Sequence, residues 1–398
     1  MGSKKRQLLL SSKAEAALIE SARSLDRVSG LTHTYYKYPA RFSPGFARAA
    51  IEAFTDPGDV VIDNHVGGGT TLVEAIALGR HAIGVDISSL AHFVSRAKTV
   101  IYSGMELERI ERWVQRVYTA INLAEPAQRL VGYDDYYKHL DHPGRWRLRH
   151  AIEQALSSAR RLRSDRLEMF ARCAILRAAQ WALDGRREAP SIDDFRSALS
   201  DIATEMLTGA WDLAIAAARY DHRPRATVLH RSAAQLDTDG RLKKRQSPKL
   251  VLTSPPYPGI HVLYHRWQVG GGKEAPLPFM IANKLDGAGE SYYTMGNRRH
   301  PGLDPYFENI GASMAAVAQL ATRKTIVVQM LAFSEAEWQL PKYIETLSKA
   351  GLAEVFLPTL IGKGDGRLWR QVPNRRWYSH QQGDTPGSKE VVLIHRKS

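Results

Sequence analysis

The residues with the most distinctive chemistry lie in the segment VLTSPPYPG, where an apolar run meets two prolines and an aromatic ring. Pro255 and Pro256 have no backbone N–H to donate, and their rings hold the chain stiff and extended. Ser254 supplies a hydroxyl oxygen, the prolines supply carbonyl oxygens and Tyr257 supplies a flat face. The segment therefore predicts a rigid set of hydrogen-bond acceptors beside an aromatic ring at the end of a strand.

A second informative stretch reads VVIDNHVGGGTTLVEAIALGRHAIGVD. A strand ends at Asp63, a turn with Gly67 and Gly69 follows, Thr70 and Thr71 begin a helix, and the next strand ends at Asp86. Such glycines let the backbone approach a ligand, and the closing acid can accept hydrogen bonds from ribose hydroxyls. No G-x-G-x-x-G occurs and no lysine follows the glycines, so the pattern suits a nucleoside without phosphates. The alternative is an ordinary strand–turn–helix connection.

The elements that must position these residues alternate between strands and helices. Residues 31–100 and 226–398 show the βα rhythm of a parallel sheet and are predicted to form one catalytic domain. Residues 1–30 read as an N-terminal arm with a helix, and residues 101–225 as a helical insertion. Residues 258–306 are rich in Gly, Pro, Tyr and Arg and predict a long functional loop.

The charge, the cysteine count and the lengths of the apolar runs limit which classes of protein the sequence fits. The 398 residues carry a formal charge of +14, which is expected of a protein that handles a polyanion. The single cysteine, Cys173, excludes an internal disulfide framework and multi-cysteine metal sites, and its helical context predicts a buried apolar role. No H-E-x-x-H spacing occurs, so no metal site is expected. With no apolar run of membrane-spanning length and no secretory signal, we expect a cytoplasmic protein.

Together, the two stretches resemble those of amino-group DNA methyltransferases that depend on S-adenosylmethionine. In that family the cofactor loop commonly reads D-P-F-x-G-x-G-T-T, then G-R-x-x-I-G-x-D, and the catalytic tetrapeptide reads (D/N/S)-P-P-(Y/F). The positions that match are Asp63, Gly67, Gly69, Thr70, Thr71, Gly79, Arg80, Ile83, Gly84, Asp86, Ser254, Pro255, Pro256 and Tyr257. Upstream, Pro39, Phe42 and Pro44 resemble the family's cofactor-side segment, and SKEVVLIHRK resembles its last strand.

The resemblance implies a doubly wound, mostly parallel, Rossmann-like methyltransferase sheet, and it covers roughly residues 31–100 and 226–398. The helical insertion, residues 101–225, is not covered, and it is a candidate region for DNA recognition. Two departures put cofactor binding in question: Asn64 and His65 stand where the family has Pro-Phe, and Ser232 stands where many members have an acid. A catalytically silent DNA-binding module is therefore an alternative of another class.

The family chemistry gives the tetrapeptide a role. An exocyclic amine is a poor nucleophile, because its lone pair is delocalised into the ring. Acceptors at the Ser254 hydroxyl and the Pro255 carbonyl would hold its hydrogens out of plane, while Tyr257 would stack on a base flipped out of the duplex. Within the family, Ser before Pro-Pro is commoner among enzymes that methylate the cytosine N4 amine, so cytosine is favoured over N6-adenine. Attack at cytosine carbon 5 needs a cysteine nucleophile, and Cys173 lacks the Pro-Cys context.

Candidate DNA contacts lie in the loop after the tetrapeptide, where aromatics, glycines and arginines are interleaved. We predict contacts from Arg266, Arg298 and Arg299. The arginines within residues 145–187 are predicted either to contact phosphates or to form a solvated helix face. Through the resemblance, the partners are duplex DNA and, in a restriction–modification or defence system, a cognate nuclease. An RNA amino-group methyltransferase is a rival interpretation, and the oligomeric state stays open.

Overall fold

A single large sheet organises the chain in the computed structural model, which describes residues 6–26, 28–37, 43–126, 140, 144–243, 246–259, 267–270, 273–275, 278, 295–297, 299–371 and 389–398. The strands are β1 (Val60–Asp63), β2 (His81–Asp86), β3 (Ala226–His230), β4 (Leu250–Thr253), β5 (Trp267–Val269), β6 (Lys273–Ala275), β7 (Ile326–Ala332), β8 (Leu352–Glu354), β9 (Leu368–Gln371) and β10 (Lys389–Lys397). The helices are α1 (Ser12–Arg23), α2 (Pro44–Phe54), α3 (Thr70–Ala77), α4 (Ser89–Thr99), α5 (Gly104–Val117), α6 (Trp146–Arg160), α7 (Asp165–Leu183), α8 (Ile192–Ala217), α9 (Gly240–Lys243), α10 (Asp304–Leu320) and α11 (Ala336–Lys349).

The strand order is β3-β2-β1-β4-β7-β10-β8, with β9 also paired to β10. Strands β3, β2, β1, β4 and β7 are parallel, and β10 runs antiparallel to β7, β8 and β9. The chain moves outward from β1 in one direction through β2 and β3, then returns and moves in the other direction through β4 and β7. This confirms the doubly wound α/β fold and places its switch point between β1 and β4, where ligands bind in folds of this class.

Apolar side chains cover both faces of the sheet, as strands without polar alternation require. Strand β1 is buried along its whole length. Its Val61 packs with α2 and α3 on one face, whereas its Ile62 packs with β2 and α10 on the other. Gly84 of β2 allows close packing, because a Cβ there would lie 2.6 Å from Leu72 and 2.8 Å from Val66. The core thus holds the ends of β1 and β4 in fixed positions.

Between α4 and β3, the described residues form helices and no strand. Helix α5 begins with a capping box, in which the Ser103 hydroxyl accepts from the Glu106 N–H and the Glu106 carboxylate accepts from the Ser103 N–H. The apolar face of this helix is buried, with Leu107, Ile110, Val114 and Val117, and so is Ile121 just beyond its end. These helices share one core with α4. The division of the chain into an arm, a catalytic domain and an insertion stays a prediction.

Two features of the sheet region were not predicted. The four-residue strand β9 pairs with β10, and the hairpin β5–β6 lies inside the predicted loop. The N-terminal arm also attaches to the far edge of the sheet, where the Leu8 N–H donates to the Phe356 carbonyl over 2.9 Å.

Within the described part of the chain, no helix is long and apolar enough to cross a membrane.

Candidate active site

The ends of β1 and β4 meet through one hydrogen bond. The Thr253 hydroxyl, at the last residue of β4, donates to the Asp63 carboxylate over 2.8 Å, and the His65 N–H donates to the same oxygen over 3.1 Å. Burial raises the pKa of Asp63 to about 6, although both hydrogen bonds favour its charged form. The residue before the predicted catalytic tetrapeptide therefore touches the first acid of the predicted cofactor loop.

The glycine loop is held from two sides. The Gly67 N–H donates to Asp86 over 2.9 Å, and the Ser88 N–H donates to the other oxygen of Asp86 over the same distance. On the opposite side, the Ser95 hydroxyl and the Lys98 ammonium group donate to the Gly67 and Gly68 carbonyls over 3.0 and 2.7 Å. Lys98 is fully buried in α4. Asp86 was predicted, whereas Ser95 and Lys98 were missed, since their spacing reads as an ordinary helix.

The loop has the properties of a ligand cradle. Gly69 has a φ of +77°, and a Cβ there would lie 3.0 Å from the Ser95 hydroxyl oxygen. Helix α3 begins at Thr70, and Thr71 donates from its hydroxyl to the Leu252 carbonyl of β4 over 3.2 Å. Among the described residues, two buried polar atoms of this loop have no hydrogen-bond partner: Asn64 Oδ1 and Thr70 Oγ1. Unsatisfied buried acceptors beside a helix start fit a ligand with hydrogen-bond donors.

The residues that depart from the family pattern are accommodated by local contacts. Asn64 donates from Nδ2 to the Ser313 hydroxyl of α10 over 3.0 Å. The His65 ring lies 3.4 Å from both the Thr253 and the Ser313 hydroxyls, and burial lowers its pKa to about 3. His65 is therefore a neutral ring at the position of the family's Phe. Ser232 is exposed and accepts a hydrogen bond from the Ala234 N–H.

The tetrapeptide continues from β4 into a network that reaches β10. The Ser254 and Tyr257 hydroxyl oxygens are 3.2 Å apart, and the Tyr257 hydroxyl donates to Glu390 over 2.7 Å. The Pro256 carbonyl accepts from Tyr306 over 2.8 Å, whereas no hydrogen bond from a described residue reaches the carbonyl of Pro255. The Tyr257 side chain is largely buried, with 8% of the residue exposed.

Glu390 is itself held by Arg370, whose Nε donates to it over 2.7 Å across the β9–β10 pair. Neither residue was predicted.

Of the other predicted site residues, Pro39, Phe42, Arg266 and Arg298 lie outside the described residues. Arg299 is exposed in a turn, where its N–H donates to the Asn297 side chain.

Two other chemistries find no support in the described residues. Cys173 is buried in α7, and burial raises the pKa of its thiol to about 12, which is unsuited to a nucleophile at neutral pH. No group of three or more His, Cys, Asp or Glu side chains in the described part of the chain is arranged to hold a metal ion.

Comparison with known proteins points to one family. Residues 11–94 match the model of a family described as DNA methylase, N6_N4_Mtase. The chain is 27% identical over 109 residues to the type II methyltransferase M.MjaII of Methanocaldococcus jannaschii, which is 27% of this chain and 19% of that protein. It is 37% identical over 82 residues to the type II methyltransferase M.MvaI of Kocuria varians, which is 20% of this chain and 18% of that protein.

A third relative is the type II methyltransferase M.BsoBI of Geobacillus stearothermophilus, 32% identical over 87 residues, which is 22% of this chain and 17% of that protein. The chain thus spans about a fifth of the length of the curated relatives it matches. Among solved structures, the rRNA methyltransferase aviRa of Streptomyces viridochromogenes is similar at 10% identity with a TM-score of 0.31, over 90% of this chain and 86% of that one.

Proposed function

We propose that the chain methylates the exocyclic N4 amine of cytosine in duplex DNA, using S-adenosylmethionine; the match of residues 11–94 to the family described as DNA methylase supports the proposal. The observation that carries the proposal is the hydrogen bond between Thr253 and Asp63, since it joins the tetrapeptide to the glycine loop. A fixed short target sequence and a restriction–modification or defence context belong to the same proposal.

The cofactor would lie against the ends of β1 and β2. Asp63 would face its charged amino group, Asp86 its ribose hydroxyls, and Gly67, Thr70 and Thr71 the remaining polar groups through the loop backbone and the start of α3. When bound, S-adenosylmethionine supplies an electrophilic methyl group on a sulfonium. The contacts of Asp86 with the Gly67 and Ser88 N–H groups set its orientation in advance of binding.

The tetrapeptide would act on the amine. Ser254 and the Pro255 carbonyl are the acceptors, held by the stiff prolines and by the contact of Pro256 with Tyr306. Fixed acceptors stabilise the developing positive charge on nitrogen without having to reorganise during transfer. The target amine lies inside the duplex, so base flipping is part of the proposal, with the ring of Tyr257 against the flipped base.

The DNA would contact a basic face beside the β5–β6 hairpin, formed by Lys37, Arg145, Arg147, Arg186 and Arg187. All of these except the partly buried Arg145 are exposed. The Arg186 guanidinium lies 4.5 Å from the ring centre of Trp181, and Arg147 lies 5.6 Å from that of Trp146. Cation–π attraction to a tryptophan ring orders a guanidinium group, which suits phosphate contacts.

This basic face is attached to the segment that follows the tetrapeptide. The Gly185 N–H donates to the Gln268 carbonyl over 2.8 Å, and the Gly270 N–H donates to the Arg186 carbonyl over 3.1 Å. Arg145 donates to the Arg187 carbonyl over 3.1 Å. The loop with the predicted contacts at Arg266, Arg298 and Arg299 comes from the same segment. In the proposed complex the DNA would lie against both the insertion and this loop.

Methyl incorporation separates the candidate functions. Purified protein is incubated with tritiated S-adenosylmethionine and either duplex DNA or total tRNA; label in tRNA alone would replace the proposal with an RNA methyltransferase. Isothermal titration with S-adenosylmethionine tests the alternative of a catalytically silent DNA-binding module, since no binding at millimolar cofactor would favour that alternative.

Tyr257→Ala is expected to lose most methyl transfer and keep its cofactor affinity, whereas unchanged turnover would mean that Tyr257 does not line the base pocket.

A further inference from the structure

We infer that Glu390 and Arg370 are positioning residues that orient the hydroxyl hydrogens of Tyr257 and Ser254 away from the substrate, so that Ser254 offers only acceptor lone pairs to the amine. The inference rests on the proposed function, because it concerns how the same site handles an amino group. It assigns a role to two residues on β9 and β10 that lie outside the sequence motifs of the site.

The direction of each hydrogen bond follows from the arginine. A guanidinium has only donors, and Arg370 directs Nε and Nη2 at one oxygen of Glu390, over 2.7 and 2.6 Å. The other oxygen of the Glu390 carboxylate accepts from the Tyr257 hydroxyl over 2.7 Å. Because a phenol has one hydrogen, Tyr257 accepts at its contact with Ser254. The Ser254 hydroxyl, 3.2 Å away, is then the donor.

The consequence concerns the face that Ser254 turns toward a substrate. A serine hydroxyl that donates its one hydrogen to Tyr257 keeps two lone pairs as acceptors. An exocyclic amine presents N–H donors. The Ser254 oxygen can accept from one of them, because its own hydrogen is directed at Tyr257. Successive hydrogen bonds that point the same way also polarise one another, which strengthens Ser254 as an acceptor. The chain of contacts thus prepares the corner for an amine before the substrate arrives.

The location of the ion pair agrees with a role beyond stability. The side chains of Arg370 and Glu390 are 10% and 4% exposed. Burying two charges is expensive, and a buried pair stabilises a fold little or not at all compared with apolar residues of similar volume. Arg370 and Glu390 are direct cross-strand neighbours on β9 and β10, so the sheet itself fixes their positions.

The test is Glu390→Gln, which reverses the chain at nearly constant shape. Arg370 cannot accept, so the amide oxygen of the glutamine must face it and the amide NH₂ must face Tyr257. Tyr257 then donates to Ser254, whose own hydrogen is left pointing at the substrate. We expect kcat for methyl transfer to duplex DNA to fall about tenfold, with the dissociation constant for S-adenosylmethionine within twofold of the wild type.

A matched control exists in the same sheet. Glu354 of β8 pairs with Arg367 through contacts of 2.7 and 2.8 Å and is also mostly buried, but none of its contacts with described residues leads to Ser254. Glu354→Gln should have the same kcat as the wild type, and its loss of thermal stability calibrates what removing such a pair does to the fold.

A double-mutant cycle distinguishes orientation from support of the fold. Tyr257→Phe keeps the ring and removes the link, so it should lower kcat about fivefold on its own, and adding Glu390→Gln to it should change kcat by less than twofold. The inference is overturned if Glu390→Gln keeps the wild-type kcat. It is also overturned if Glu390→Gln lowers kcat by the same factor in the wild type and in the Tyr257→Phe variant. If the Glu390→Gln variant does not fold, the Tyr257→Phe variant is the test, and a wild-type kcat in that variant overturns the inference.

The inference can fail while the proposed function stands. If the wild-type protein labels DNA and Glu390→Gln labels it equally fast, only the present inference is wrong. If the wild-type protein transfers no methyl group to DNA, the proposed function and the inference are both wrong.

Discussion

Thr253 and Asp63 lie at the ends of adjacent parallel strands and share a hydrogen bond of 2.8 Å. Asp63 begins the glycine loop, and Thr253 is followed directly by the tetrapeptide, so this contact fixes the spacing between the proposed methyl donor and the proposed acceptor. Methyl transfer depends on the positioning of its two reactants. We therefore expect this contact to set the geometry of the proposed site.

Thr253→Val removes this contact at constant shape. The buried carboxylate of Asp63 loses a donor, so we expect the free energy of unfolding to fall by about 1–3 kcal/mol and the affinity for S-adenosylmethionine to fall with it. Urea unfolding and isothermal titration measure the two effects. Thr204→Val, on the exposed side of α8, is the control and should change neither; equal effects at both positions would contradict the special role of Thr253.

Asp63 makes stability depend on pH. Its pKa is raised by burial from 3.8 to about 6, so between these values the folded protein keeps a proton that the unfolded chain loses. Wild-type stability therefore decreases through this window as pH rises. Asp63→Asn has no such loss, so its stability relative to the wild type should improve by about 2 kcal/mol from pH 4 to pH 7.

Urea unfolding of both proteins at pH 4, 5, 6 and 7 measures this difference. The pKa of His65, lowered to about 3, produces the opposite trend, because its unfolded form gains a proton below pH 6.5. Both proteins contain His65, so its contribution cancels in the comparison. A difference in stability that stays constant across the four pH values would contradict a raised pKa for Asp63.

Lys98 holds the glycine loop from the side of α4. Its ammonium group donates to the Gly68 carbonyl over 2.7 Å from a fully buried position. Lys98→Met keeps the packed stem and releases that carbonyl, so we expect the dissociation constant for S-adenosylmethionine to rise about tenfold. Arg96→Met, on the exposed side of the same helix, should leave it unchanged. Equal affinities in the wild type and Lys98→Met would show that the loop needs no such support.

The basic face predicts which arginines bind DNA. Arg147→Gln and Arg186→Gln together should weaken DNA binding about tenfold and reduce the slope of log K against log salt concentration by about two, one for each lost phosphate contact. Fluorescence anisotropy at several salt concentrations measures both quantities. S-adenosylmethionine binding should be unchanged.

The control for this prediction lies at the other end of α6. Arg112 and Arg161 line a groove of about 340 Å³ between α5 and the end of α6. The 15 residues of α6 separate this groove from Trp146 by roughly 20 Å. Arg112→Gln with Arg161→Gln removes the same charge, and we expect a smaller loss of DNA affinity. If both pairs weaken binding equally, the charge acts without a defined DNA-binding face.

Local sequence predicted the parts of the site that are close together in the chain. The strand ending at Asp63, the glycine turn and Asp86 lie within one βαβ unit, and the rigid corner after Thr253 follows from its prolines. The buried face of α5 was also predictable from its period, as with Leu107 and Ile110.

Long-range pairings were not predictable in this way. Glu390 is 133 residues from Tyr257 in the chain and contacts it because β10 inserts beside β7. Strand β9 has four residues, too few for a recognisable period, so its Arg370 gave no signal. Lys98 was missed because a lysine in a helix is ordinarily an exposed residue, whereas here its ammonium group is used to anchor a loop carbonyl.

The central claim is tested most directly by identifying the methylated base. Duplex DNA is incubated with the purified protein and methyl-labelled S-adenosylmethionine, digested to nucleosides and analysed by mass spectrometry, with Ser254→Ala in parallel. We predict labelled N4-methyldeoxycytidine with the wild type and at least a tenfold lower yield with Ser254→Ala. Label found only in N6-methyldeoxyadenosine, only in 5-methyldeoxycytidine, or equally with both proteins would contradict the account.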